Sequence, residues 1–96
     1  MTQLRVVAQL TTKPGSEEII REALARLAAA TQGHRGCVEF KLYESAAAPG
    51  TFVTVETWES QDDHDAHMQT EDIAAALAAA EGHVAGDIAI HPLRPV

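Results

Sequence analysis

The sequence predicts an α+β fold, a four-stranded antiparallel sheet with helices on one face, in the order β-α-β-β-α-β. Three observations carry this. Apolar residues recur with strand period in separated segments and with helix period between them. Pro-Gly and Gly signals mark the joints. The chain has 96 residues, 46% of them hydrophobic, so residues 1–96 make one domain with one small core.

Leu4, Val6, Ala8 and Leu10 alternate with Arg5, Val7, Gln9 and Thr11, the pattern of a half-buried strand. Lys13-Pro14-Gly15-Ser16 stops it, and Ser16 is placed to cap a helix from Glu17 to about Thr31. Ile20, Leu24, Leu27 and Ala28 form the apolar stripe of that helix. Glu17 and Glu22 precede Arg21 and Arg26 by one i,i+4 step, which predicts surface ion pairs. Gly33 and Gly36 end the helix. Cys37–Ser45 and Thr51–Glu59 return to period two and flank Ala46-Ala47-Ala48-Pro49-Gly50, as an antiparallel hairpin would. In the second of these strands Phe52, Thr54, Glu56 and Trp58 share one face, and Val53, Val55 and Thr57 the other. Ser60 and Asp63 resemble a capping box before a short helix, Gln61–Gln69. Thr70 caps a second helical piece, Glu71–Glu81, with Gly82 at C′. Val84, Ile88 and Ile90 supply the last strand, and Pro92 and Pro95 close the chain.

Two right-handed crossovers about a central hairpin make this arrangement ferredoxin-like. With helices on one face, Phe52 and Trp58 are assigned to the other, where a large apolar surface needs cover. A second copy packed sheet against sheet provides it, so a homodimer, a dimeric α+β barrel, is expected.

Fourteen acidic residues against seven Lys and Arg leave a net charge of −7. That excludes nucleic acid and anionic membranes as main partners, because both require clustered positive charge. No stretch is apolar enough to span a membrane and no secretory signal opens the chain, so a cytoplasmic location is expected. The single Cys37 allows neither an intramolecular disulfide nor a CxxC zinc site, and it has no partner of a nucleophilic triad nearby in sequence.

His64 and His67 stand at i and i+3, on one side of the short helix. Asp63 and Glu71 lie close in sequence, but no HExxH or comparable ligand motif is present, so no metal is assigned. For His67 two readings stand: a structural hydrogen bond from helix to sheet or partner, or a general base. An unperturbed imidazole pKa of about 6.5 suits abstraction of a phenolic proton. His64 fits the same role, and the sequence does not choose between them. Trp58 either packs a dimer core or walls a pocket, with its indole N–H free to donate to a substrate oxygen. Phe52 on the same face is wall. Glu56 there either pairs with Arg or His across subunits or orients a substrate, since a buried carboxylate needs a partner. Gln9 and Thr54 are polar candidates for a cavity on that face. His34, His83 and His91 are scattered, which predicts exposed side chains.

Several stretches in order resemble the antibiotic biosynthesis monooxygenase (ABM) domain family. They are Val7-Ala8, Lys13-Pro14-Gly15-Ser16-Glu17-Glu18, Gly36-Cys37-Val38-Glu39-Phe40, Glu56-Thr57-Trp58-Glu59-Ser60 and Asp65-Ala66-His67-Met68. The resemblance implies a cofactor-free oxygenase with O2 as co-substrate, acting on a small electron-rich aromatic such as a quinol or anthrone. Haem-degrading relatives use an Asn on the first strand and a His on the last helix; Ala8 and Leu77 stand there in this chain. Anthrone-type members carry a Tyr where this chain has His64. The family often shows Glu-Pro-Gly-Cys where this chain reads His34-Arg35-Gly36-Cys37, and Ser-Pro-His-Phe where it reads Thr70-Glu71-Asp72-Ile73. On this reading His67 or His64 removes a substrate proton, while Trp58 and Gln9 or Thr54 stabilise the enolate and peroxide. A non-oxidative isomerase or cyclase on the same scaffold, and a ligand-binding stress-response dimer, are the alternatives.

Overall fold

A computed structural model describes residues 3–96; Met1 and Thr2, where the N-terminal reading begins, lie outside the described residues. The elements are β1 (Leu4–Thr12), α1 (Glu17–Thr31), β2 (Cys37–Glu44), β3 (Thr51–Trp58), α2 (Gln61–Met68), α3 (Glu71–Ala80) and β4 (Val84–Leu93). The four strands form one antiparallel sheet in the order β2-β3-β1-β4, the ferredoxin-like arrangement. β4 runs on through Pro92, which is tolerated because this strand lies at the sheet edge.

The register decides which face is the core. Leu4, Val6, Ala8 and Leu10 sit opposite Trp58, Glu56, Thr54 and Phe52. Val6 and Trp58 then pack with Leu27 of α1, Phe40 of β2 and Ile73 of α3, while Leu10 and Phe52 pack with Ile20 and Ala80. The face carrying Phe52 and Trp58 is therefore the helix-covered one. This corrects the expectation that placed it on the open side. Both faces of β3 carry large apolar residues, so alternation alone cannot orient this strand; the helices go to the side with the aromatic rings.

What remains on the open face is Val7, Val53, Val55, Tyr43 and Leu93, interspersed with Arg5, Gln9, Glu39, Lys41 and His91. Tyr43, Val55 and Leu93 are 52%, 38% and 43% exposed. Gln9 pairs with Val53 and is exposed on this side, away from Thr54 and Glu56.

Local interactions differ from expectation at three points. Arg21 pairs with Glu18 and with Glu44 of β2 (2.9 Å) and lies over the Phe52 ring, whereas Glu17 accepts a hydrogen bond from the Gly15 N–H. A partner across the sheet outcompetes the i,i+4 pair because it ties two elements together. Ser16 makes no side-chain cap; its hydroxyl bonds His83 Nδ1 at 2.9 Å, so His83 is not a free surface residue. Ser60 and Thr70 do cap, accepting from Asp63 N and Ile73 N.

Candidate active site

α2 is short and carries almost no apolar stripe, yet two of its residues, His64 and His67, are buried. They are turned inward by how its start is fixed. Ser60 Oγ accepts from Asp63 N and donates to Asp63 Oδ2, and Arg35 Nε donates to Asp63 Oδ1. Gly36 passes under this carboxylate with φ +76; a Cβ there would sit 2.2 Å from Asp63 Cγ. With the first turn pinned, the i and i+3 histidines face the sheet.

There they meet β3. The His67 ring centroid lies 4.6 Å from that of Trp58 and 5.7 Å from that of Phe40; His64 meets Trp58 edge-on at 5.8 Å. Trp58 is fully buried, and its Nε1–H donates to Glu56 Oε1 at 2.9 Å. Thr54 Oγ1 donates to Glu56 Oε2 at 2.8 Å, and His64 Nε2 stands 4.0 Å from Oε1. The buried carboxylate thus finds its partners within the chain. The indole N–H and the Thr54 hydroxyl are committed to it rather than free for a substrate.

A residue missed by sequence reasoning completes the cluster. His34, in the α1–β2 connection, is not exposed and idle: its Nδ1 lies 2.9 Å from His67 Nδ1, and its Nε2 lies 2.7 Å from Asp72 Oδ2 on α3. Burial first, then the nearby His34 and His64, push the His67 imidazole down to about 4, with Asp72 partly opposing. At neutral pH it is an uncharged ring. Among the described residues, no three His, Cys, Asp or Glu side chains converge as a metal site would require. Burial, with Glu56 adding to it, also raises the Cys37 thiol.

A cavity of about 90 Å³ lies between the sheet and α1–α3. His64 and His67 line its inner end with Phe40, Phe52, Thr54 and Glu56. Leu77 on α3 and Ile88 and Ile90 on β4 also line it and are 51%, 36% and 40% exposed, so they mark its open side. Ala8 and Leu77, the positions that would need Asn and His in a haem degrader, both border this space and offer no ligand. Gln9 touches it between Ala8 and Leu10, beside the irregularity in β1–β4 pairing. Of the site candidates, His64, His67, Trp58, Phe52, Thr54 and Glu56 come together, and Gln9 stays at the margin.

The sequence profile described as antibiotic biosynthesis monooxygenase matches residues 3–79, which includes His34, Trp58, Glu56, His64, His67 and Asp72 but not the β4 residues on the cavity's open side. The chain belongs to the antibiotic biosynthesis monooxygenase family. Solved structures agree with that ABM assignment. A crystal structure of an antibiotic biosynthesis monooxygenase superposes with a TM-score of 0.90 at 26% identity, covering 97% of this chain and 98% of the other. A protein from Caulobacter crescentus CB15, provisionally described as such a monooxygenase, gives 0.89 at 28% identity, with 98% and 90% covered. The Rv0793 protein from Mycobacterium tuberculosis gives 0.90 at 24% identity, with 99% and 96% covered, and supports the fold alone. No curated protein sequence matches. Set against the ABM pattern, the missed pair had a sequence signal. His34 and Asp72 fall in the two stretches where this chain departs from the family's usual residues, and the fold bonds those departures to each other.

Proposed function

We propose that this protein is a cofactor-independent monooxygenase that oxidises a quinol, anthrone or similar electron-rich aromatic with O2, working as a homodimer. The observation that carries the reading is a buried imidazole, His67, lining an otherwise largely apolar cavity, where burial favours its uncharged form. His67 Nδ1 is bonded to His34, and Nε2 makes no hydrogen bond among the described residues. Yet among the described residues no fully enclosed side-chain polar atom lacks a partner, so Nε2 is not sealed off by packing. His67 is one of the side chains that line the cavity. A lone pair there accepts the proton of a substrate hydroxyl, and the dry walls raise the energy of the resulting anion until it gives an electron to O2. For an anthrone, one oxygen atom enters at the activated carbon and the other leaves as water, so the electrons come from the substrate.

Trp58 and Glu56 support this base rather than act on the substrate. The ring of Trp58 packs tilted against His67, and Glu56 accepts a hydrogen bond from the indole N–H. The test is oxygen uptake by chelator-treated protein with a panel of quinols and anthrones. Uptake that survives chelation and falls by about 100-fold or more in His67→Ala is the expected outcome, the loss typical of a removed general base. Product formed without oxygen would assign the same base to an isomerase instead. Panel members that bind, as thermal shift reports, but give neither product nor uptake would overturn the enzymatic reading.

A further inference from the structure

The three side chains Asp72, His34 and His67 lie in a line from the surface to the cavity, and their hydrogen-bonding capacities are not independent. Asp72 is 48% exposed at its side chain, His34 12%, and His67 is buried. An ionised carboxylate has only acceptor sites, so the 2.7 Å contact requires a proton on His34 Nε2. With His34 neutral, its Nδ1 then carries only a lone pair. The 2.9 Å contact between the two Nδ1 atoms therefore requires the proton to sit on His67 Nδ1. That leaves the lone pair of His67 at Nε2, the nitrogen not bonded to His34, on a ring that lines the cavity.

We propose that Asp72 and His34 are positioning residues that set the tautomer of His67 and carry its proton out of the cavity. This rests on the assignment of His67 as the base. The relay balances as proton transfer alone. The substrate O–H bond breaks and an N–H bond forms at His67 Nε2; the Nδ1–H of His67 passes to His34 Nδ1. The charge ends as an imidazolium on His34 against the Asp72 carboxylate, and His67 is left neutral with its proton on Nε2. Loss of the His34 Nε2 proton to solvent at the exposed Asp72 end leaves both rings in the opposite tautomers. The starting pair returns when His67 gives its Nε2 proton to the reduced oxygen species in the cavity, His34 Nδ1–H passes back to His67 Nδ1, and His34 Nε2 takes a proton from solvent. The relay also places the charge where it is compensated: burial disfavours a charged His67 ring, whereas a proton added to His34 sits beside the Asp72 carboxylate at 2.7 Å. The backbone holds His34 for this role at both ends: its N–H donates to Thr31 O, and its carbonyl accepts from Cys37 N.

The other charged and titratable groups around the pair are His64 on α2, Glu56 on β3 beyond it, Cys37 at the start of β2, and Arg26 on α1. Arg26 shares a surface groove with Asp72. None of them bonds to either ring in the relay.

Long-range proton–nitrogen NMR spectra of the full-length protein read the ring tautomers directly and need no substrate. At neutral pH the expected result is His67 protonated at Nδ1 and bare at Nε2, with His34 protonated at Nε2. On acidification, His34 should gain its second N–H in the same step in which His67 flips from the Nδ1–H to the Nε2–H form. Asp72→Ala should remove the bias, so that the Nδ1–H share of His67 falls to roughly half as either ring can then donate. His67 protonated at Nε2 at neutral pH, or a first acidic proton that lands on His67, would overturn the relay. Because no turnover is involved, a missing oxygenase activity leaves the tautomer result standing, and a wrong tautomer leaves oxygen uptake to decide the reaction.

Discussion

At the scale of single residues, the site is governed by how a carboxylate and three imidazoles are kept in a small core. Glu56 is 4% exposed and survives there because Trp58 Nε1 and Thr54 Oγ1 both donate to it. His67 is kept neutral by the same burial, and this has a cost that appears in acid. Its folded-state value near 4 lies below the unfolded value of about 6.5, so the unfolded chain takes up the proton first as pH falls. The contribution of His67 to stability is therefore full above about pH 6.5 and is lost progressively toward pH 4. Between about pH 6.5 and 5 the loss from this one group is on the order of 2 kcal/mol. Urea midpoints measured across that window should fall in the wild type, and the fall should be smaller by this amount in His67→Gln. Equal slopes in both proteins would mean that burial does not shift this ring.

At the scale of elements, α2 is the part whose position is least self-supporting, and a glycine holds it. Gly36→Ala would put a Cβ into the Asp63 carboxylate at a φ of +76 that L side chains rarely adopt. Asp63 would have to leave Ser60 and Arg35, freeing the first turn of α2. A loss of roughly 1–3 kcal/mol in unfolding free energy is expected, with the His64 and His67 ring resonances shifted while those on α1 stay in place. The same elements show what was legible in the sequence. α1 and α3 follow from their apolar stripes and cap residues, and β1 from its alternation. β3 was legible as a strand, but its two apolar faces left its orientation open, and the aromatic face was assigned to the wrong side. His34 was invisible as a site residue because its partners, His67 and Asp72, are 33 and 38 positions away. No local period encodes a contact set by how the α1–β2 connection meets α2 and α3.

At the scale of the whole molecule, the helix-covered face closes its own core, and the opposite face is left with apolar residues on every strand. Val7, Val53, Val55, Tyr43 and Leu93 lie along it in register, and a sheet face of this kind is usually covered. A second copy packed by a two-fold axis would bring each such residue close to its own copy or a neighbour's, so one added charge is met by another. Val55 is central, between Val7 on β1 and Lys41 on β2. Val55→Glu combined with Tyr43→Glu should convert a dimer into a monomer by light scattering. Its far-ultraviolet circular dichroism should stay that of the wild type, since Trp58, Phe52, Ile20 and Leu27 pack within one chain. The buried imidazoles and Glu56 are likewise held by contacts inside the chain, so the monomer should keep the His67–His34 tautomer pattern and the cavity. The cavity itself, about 90 Å³, is smaller than the roughly 150 Å³ that admits benzene in an engineered core. For an aromatic of the proposed class to enter, its exposed edge at Leu77, Ile88 and Ile90 would have to give way. If the double variant remains dimeric, the contact lies on another surface, and that apolar edge of α3 and β4 is the next place to put the charge.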